Sequence, residues 1–258
     1  MRNLEKKVYD NNTKIVTISE DMRKTIIEHG CSSKKVEVIQ NWVDISRIKK
    51  VNRKDNELFC KFGLDKDCFY ISYAGDIGLF QNWEVILDAA QELNDNFNDI
   101  KFVIIGNGSY KESMEKSIKR RKLKNTYIFP LQPIEFISNA YSLGDLELVS
   151  LEMDMTKIAL PSKIGQVLAT GSPILGMFDS DSFISNEIID KNLGVVVNNF
   201  QKESLVNIIL HYYNNRNELE GISNNARKYA EQQLERKTQT QKYNAVLRDI
   251  ANLSKVFN

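Results

Sequence analysis

At 258 residues, 42% hydrophobic and 27% charged, the chain can bury the core of one large domain or two small ones. Its 35 basic and 34 acidic side chains leave a formal net charge of +1, which gives no bulk attraction to nucleic acid or anionic membrane, so any anion site must be local. Three cysteines (Cys31, Cys60, Cys68) and two histidines (His29, His211) lack metal-ligand or triad spacing, no apolar run approaches the roughly 20 residues that span a bilayer, and the polar start does not suit a signal peptide. The expectation is a cytoplasmic protein that reaches the inner face of a membrane only by being recruited there.

In chain order, residues 3–11 are charged and weakly periodic, and residues 14–18 read as a short strand. Ser19 followed by two acids caps a helix that Gly30 stops, and residues 35–39 form another short strand before Gln40-Asn-Trp-Val-Asp44. The basic, polar stretch 45–67 reads as a linker or an adaptable surface segment. From Phe69 onward, strands alternate with amphipathic helices. Strands are predicted at 69–74, 102–105, 126–129, 146–149, 173–175 and 194–197, with helices at 82–93, 109–121, 134–142, 161–170 and 183–190 between them. Three charged helices follow from 203 to about 256. This alternation predicts an α/β fold with a doubly wound, Rossmann-like parallel sheet that binds ligands at the carboxyl ends of its strands. The expected division is a closing unit and linker over residues 1–45, the Rossmann-like domain over 46–217 and the C-terminal helices over 218–258.

Leu160-Pro-Ser-Lys-Ile-Gly-Gln-Val-Leu-Ala-Thr-Gly-Ser-Pro173 combines a helix start, a cation and a helix stop. Pro161 suits a first turn, Ser162 can cap it, and Lys163 stands among free amides. A lysine at the positive end of a helix works against helix stability but suits a phosphate. The alternative is an ordinary helix with a solvated lysine.

Ala74-Gly-Asp-Ile-Gly78 places two glycines where a strand turns towards a helix, which lets backbone N–H groups approach a diphosphate; a plain tight turn uses the same residues. Gly106-Asn-Gly108 occupies the equivalent place after the next strand but lacks the third glycine of a dinucleotide fingerprint, so it reads mainly as turn chemistry and gives NAD little support. Phe129-Pro-Leu-Gln-Pro133 offers rigid backbone that can border a base or merely connect elements. Asp179, Asp181 and Glu187 suit sugar hydroxyls or a helix cap near Ser182.

Taken in series, Val16-Thr-Ile-Ser-Glu20, Val38-Ile-Gln-Asn-Trp-Val-Asp44, Tyr73-Ala-Gly-Asp-Ile-Gly78, Phe102-Val-Ile-Ile-Gly-Asn-Gly108, and Leu160-Pro-Ser-Lys163 with Ala169-Thr-Gly-Ser-Pro173 resemble the donor-binding half of a GT-B glycosyltransferase. The resemblance is to the retaining family 4, in the Pro-Ser-Lys subgroup of bacterial polysaccharide and O-antigen enzymes, and it covers most of the chain. It implies a nucleotide-sugar substrate, UDP-linked, with no separate cofactor or metal. By the same resemblance Gly75, Asp76, Gly78, Ser162 and Lys163 would surround the diphosphate, Gly106, Pro130 and Leu131 the base and ribose, and Gln166 the donor sugar.

The departures carry information too. Many members place arginine after the first glycine and lysine before the next helix, where this chain has Asp76 and Gln81, leaving Lys163 as the main cation. The paired glutamates of the family would fall at Ile158 and Gln166, so no catalytic carboxylate is assigned. An acceptor-binding domain ordinarily precedes the Ser-Glu motif, and the resemblance implies that most of it is missing here. That predicts a separately encoded partner, self-association, or a degenerate fragment that binds nucleotide-sugar without turnover.

Overall fold

The computed structural model describes residues 2–197 and 200–256. A helix, α1 (Arg2–Asn11), leads into a small parallel sheet in which β1 (Ile15–Thr17) pairs with β2 (Val36–Val38) in the register Ile15 to Val36. Helix α2 (Glu20–Glu28) joins the two strands, and the Ser19 hydroxyl accepts from the Met22 N–H at 3.2 Å, as its position before two acids predicts.

The segment expected to be a linker is built into the core. Asn56 accepts from the Leu58 N–H at 3.1 Å and so starts α3 (Glu57–Phe62), which buries Leu58 and Phe59 completely. Arg53 reaches Asp145 at 2.7 Å and donates to the Cys68 carbonyl at 2.8 Å, anchoring the segment below the sheet. Charge dominates its composition. A six-residue helix needs only one apolar face, and the charges around Leu58, Phe59 and Phe62 hide that face from a composition argument.

The main sheet is parallel throughout. Its strands are β3 (Phe69–Asp76), β4 (Ile100–Asn107), β5 (Thr126–Phe129), β6 (Leu146–Ser150), β7 (Ile174–Met177) and β8 (Gly194–Val196), in the spatial order β5-β4-β3-β6-β7-β8. Near-continuous burial along β3, β4, β6 and β7 is what a parallel sheet covered on both faces requires. On one face, Phe69, Ile71 and Tyr73 pack with Leu146, Leu148 and residues of α4 (Trp83–Asn96), α5 (Lys111–Arg121) and α9 (Lys202–Asn214). On the other, Tyr70, Ala74 and Val149 meet α3, α6 (Ile137–Tyr141), α7 (Ile164–Ala169) and α8 (Phe183–Asp190). The two-residue alternation along β3 therefore feeds two apolar layers.

Helix α10 (Glu218–Tyr229) continues through a π turn (Ala230–Leu234) into α11 (Arg236–Val256). Ala226, Ala230 and Leu234 belong to the same apolar cluster as Val167 and Leu168, so the core runs across residue 218. The chain passes between the small sheet and the main one along a seam. There the Val43 N–H donates to the Leu234 carbonyl at 2.8 Å, and Arg227 donates to the carbonyls of Ile45 at 3.1 Å and Ile48 at 2.9 Å. The small sheet is tied to the main one elsewhere by the Phe183 N–H donating to Asp21 at 2.7 Å and by Thr25 donating to the Lys157 carbonyl at 3.0 Å.

Candidate functional site

Strand order reverses between β3 and β6, because β3 leads outward through β4 to β5 and the chain then returns to place β6 on the other side of β3. Connections diverge at such a point and leave a crevice beyond the carboxyl ends of the strands. Gly75 lies in that crevice at the end of β3, opposite Gly106. A Cβ on Gly106 would come within 1.9 Å of the Gly75 carbonyl, so the two strand ends lie closer than side chains allow. Gly75 itself has φ +140°, a conformation open to glycine, and its missing side chain leaves room for a neighbour.

That neighbour is Lys163. Its ammonium lies 3.2 Å from where a Gly75 Cβ would stand and 3.1 Å from the centre of the Tyr73 ring. The nitrogen is fully buried and has no hydrogen-bond partner. Burial lowers its pKa to about 7, while the charges of Glu147 and Asp76 oppose the shift. Contact with the ring face recovers part of the lost hydration. The helix start differs from expectation: α7 begins at Ile164, Lys163 takes the cap position, and the exposed Ser162 hydroxyl makes no capping bond. A serine two residues ahead of the first helical residue is out of reach of the first-turn amides.

Beneath Lys163 lies a carboxylate that motif reading passes over. Glu147, the second residue of β6, is completely buried, with Ser72 donating to one oxygen and the Ala74 N–H to the other at 3.0 Å. Ser72 is its direct cross-strand partner. Burial raises the Glu147 pKa to about 7 against the pull of those two donors and of Lys163. The hydroxyls of Tyr73 and Tyr141 are pushed well above the usual phenol range by burial, with Glu147 adding to both shifts. The available signal was an acid inside the apolar run Leu146-Glu-Leu-Val149, since a buried strand carries a charge only where something compensates it.

Asp76 and Gln81 sit together over Gly78, with the Asp76 carboxylate 2.9 Å and the Gln81 amide nitrogen 3.3 Å from where a Gly78 Cβ would stand. The Gln81 carbonyl oxygen is buried without a partner. Asn82 holds the following turn by donating to the Leu151 carbonyl at 2.7 Å and to Ser150 at 3.1 Å. Beside Gly75 opens a cleft of about 280 Å³ lined by Ile105, Leu131, Ile134, Phe136 and Tyr141. Pro130 borders it indirectly, its carbonyl accepting from Gln132 at 2.6 Å, while Lys61 donates to the same Gln132 side chain at 2.7 Å.

Gln166 lines a second cleft with Trp42, Arg47 and Arg236, which shares Ile134 and Ile137 with the first. With its amide oriented to suit its surroundings, Gln166 donates to the carbonyls of Ser162 at 2.6 Å and Lys163 at 3.1 Å, bracing the turn that carries the lysine. Ser162 faces a smaller crevice of about 30 Å³ with Gln40 and Asn41. The structure thus brings Gly75, Asp76, Gly78 and Lys163 together, with Gly106 pressed against Gly75 and Leu131 on the cleft wall, and leaves Ser162 to one side. Asp179 is occupied within its own loops, accepting from the Asp154 N–H at 2.9 Å, and Glu187 accepts from Tyr229 at 2.6 Å. Among the described residues, no group of three or more His, Cys, Asp or Glu side chains is placed to hold a metal.

Residues 54–229 match the family model for glycosyl transferases group 1. The chain is 33% identical over 158 residues to the putative colanic acid biosynthesis glycosyl transferase WcaI of Escherichia coli (strain K12), covering 61% of this chain and 38% of that protein. To the probable glycosyltransferase WbjE of Pseudomonas aeruginosa it is 25% identical over 194 residues, covering 75% and 48%. It therefore spans less than half the length of these curated relatives. Among solved structures, Anabaena HepE, crystallised with UDP and glucose, superposes with a TM-score of 0.80 at 16% identity, covering 96% of this chain and 68% of HepE. The C-terminal domain of the group 1 family protein LpcC from Francisella tularensis superposes with a TM-score of 0.60 at 14% identity, over 75% of this chain and 99% of that domain. The fold is that of a C-terminal half of a GT-B protein, and the chain belongs to the glycosyl transferases group 1 family.

Proposed function

We propose that this chain supplies the donor site of a retaining glycosyltransferase of family 4, Pro-Ser-Lys subgroup, taking its sugar from a UDP-linked donor. The observation that carries the reading is the buried, unpartnered ammonium of Lys163 beside Gly75 at the point where strand order reverses. A nucleoside diphosphate gains negative charge as it leaves the sugar, and a preorganised cation in a dry site stabilises that charge without reorganising. The diphosphate would lie along Gly75 and Gly78 against Lys163, with the base in the cleft walled by Leu131 and Ile105. Gln166 holds the lysine's turn and stands near the shared wall of the two clefts, which suits a neutral contact to the donor sugar.

The names of WcaI and WbjE, and the UDP and glucose found in HepE, support a place in cell-surface polysaccharide synthesis with a lipid-linked or saccharide acceptor. Such an acceptor would bring the protein to the cytoplasmic face of the membrane. Among the described residues, no helix is long and apolar enough to cross a membrane.

A second reading, a nucleotide-sugar-binding subunit that works through a partner acceptor domain or a second copy, has its own support. Leu4 and Val8 on α1 and Tyr243 and Leu247 on α11 form apolar pairs at helical spacing that face solvent. Transfer to a lipid-linked acceptor by the purified chain alone rules this reading out. The donor site is tested by isothermal titration with UDP, UDP-sugars and NAD. UDP and its sugars are expected to bind and NAD is not. Lys163→Ala is expected to weaken UDP binding by about tenfold or more, since a hydrogen bond to a charged group contributes ~1.5–3 kcal/mol. Absence of UDP binding at millimolar concentration, or unchanged affinity in the variant, sinks the reading.

A further inference from the structure

Two ionisable groups are buried at the floor of this site. The Glu147 carboxylate has both oxygens engaged by Ser72 and Ala74, whereas the Lys163 ammonium has no hydrogen-bond partner. One stretch of β3 joins them: the Ala74 N–H donates to Glu147, and Tyr73 and Gly75 on either side of it abut the Lys163 ammonium, with no direct hydrogen bond between the two charged groups. The groups facing them are Asp76 and Tyr73 from β3 and Tyr141 from α6. Asp76 is exposed at the strand end, so Glu147 is the carboxylate near the lysine that is kept away from water.

We propose that Glu147 is a positioning residue that sets the charge of Lys163, so that a nucleoside diphosphate enters the site together with a proton taken up by the Glu147–Lys163 pair. This rests on the donor-site reading above. The proton comes from solvent and adds to the lone pair of the Lys163 amine. No other bond changes. In the empty site desolvation disfavours the ammonium, and Glu147 supplies the negative charge that partly restores it. A diphosphate beside Gly75 adds further negative charge within reach of the same nitrogen and shifts the balance to the protonated form. Linkage then requires the reverse effect, in which protonation strengthens nucleotide binding.

The test is isothermal titration of the full chain with UDP between pH 7 and 9, in paired buffers of different ionisation heat that count the protons exchanged. The last ionisation of a terminal phosphate lies at about 6, so UDP itself contributes little in this window. The expected result is net proton uptake, with affinity falling as pH rises, by up to about tenfold per pH unit where a whole proton is taken up. In Glu147→Gln the amine loses its proton at lower pH. The uptake window should move down in pH, and affinity at pH 8 should fall and be recovered on acidification. Ser72→Ala, which removes one donor from the carboxylate, should move the window the same way by less, and it decides the matter if Glu147→Gln does not fold. UDP binding without proton uptake, or variants that weaken binding equally at every pH with an unmoved window, overturns the proposal and leaves the donor site standing. No UDP binding at any pH removes both.

Discussion

At the scale of single residues, the floor of the site costs the empty protein stability. Glu147 ordinarily titrates at 4.5 and is held at about 7 in the fold, so the folded chain keeps a proton there that the unfolded chain sheds. Its contribution falls as pH rises from 4.5 to 7. Lys163 ordinarily titrates at 10.5 and is depressed to about 7, so between those values the unfolded chain holds the extra proton and stability rises with pH. The two trends meet near neutrality. The ligand-free protein is expected to show a dip in its urea midpoint near pH 7, and Lys163→Met combined with Glu147→Gln should flatten it. A profile with the same dip in the double variant would assign it to other groups. Lys163 was legible in the sequence because a cation beside Pro161 and Ser162 is out of place for helix stability. Glu147 was only half legible: an acid in an apolar run marks it as compensated, but only the register of β3 against β6 supplies Ser72 and Ala74 as the donors.

Elements were legible where an apolar run or a cap marked them and misread where charge masked a short apolar face. The strands at 126–129 and the helix at 183–190 lie where alternation and capping place them, and the Ser182 hydroxyl accepts from the Ser185 N–H at 3.2 Å. The segment 45–67 failed because charge outnumbers apolar residues there, yet its side chains satisfy buried partners such as the Asn139 carbonyl, reached by Asn56 at 2.8 Å. The structure makes α3 a full member of the core, with Phe59 edge-on to Tyr70 at 5.5 Å between ring centres. Phe59→Ala is therefore expected to cost ~3–5 kcal/mol, read from urea denaturation, the range for a large buried aromatic. A loss under about 0.5 kcal/mol, typical of surface positions, would return the segment to the status of a linker.

For the whole molecule, alternation of strands and helices foretold the doubly wound sheet, while the reversal of strand order between β3 and β6 is visible only in the fold. The pairing of distant segments was not foretold, since nothing local in the sequence marks Val43 and Leu234 as neighbours. That seam bears on how the protein folds. Arg227 grips the carbonyls of Ile45 and Ile48 across separations of 182 and 179 residues, closing a loop that contains the entire main sheet. Long loops close slowly, and their contacts form only once the intervening chain is compact. The seam is thus expected to be made after the rate-limiting step. Arg227→Ala should then speed unfolding in a stopped-flow chevron and leave the refolding arm unmoved. A slowed refolding arm would instead place the seam in the nucleus. A latch that closes last opens first, and the two ends of this chain would come loose together while the sheet between them is still intact.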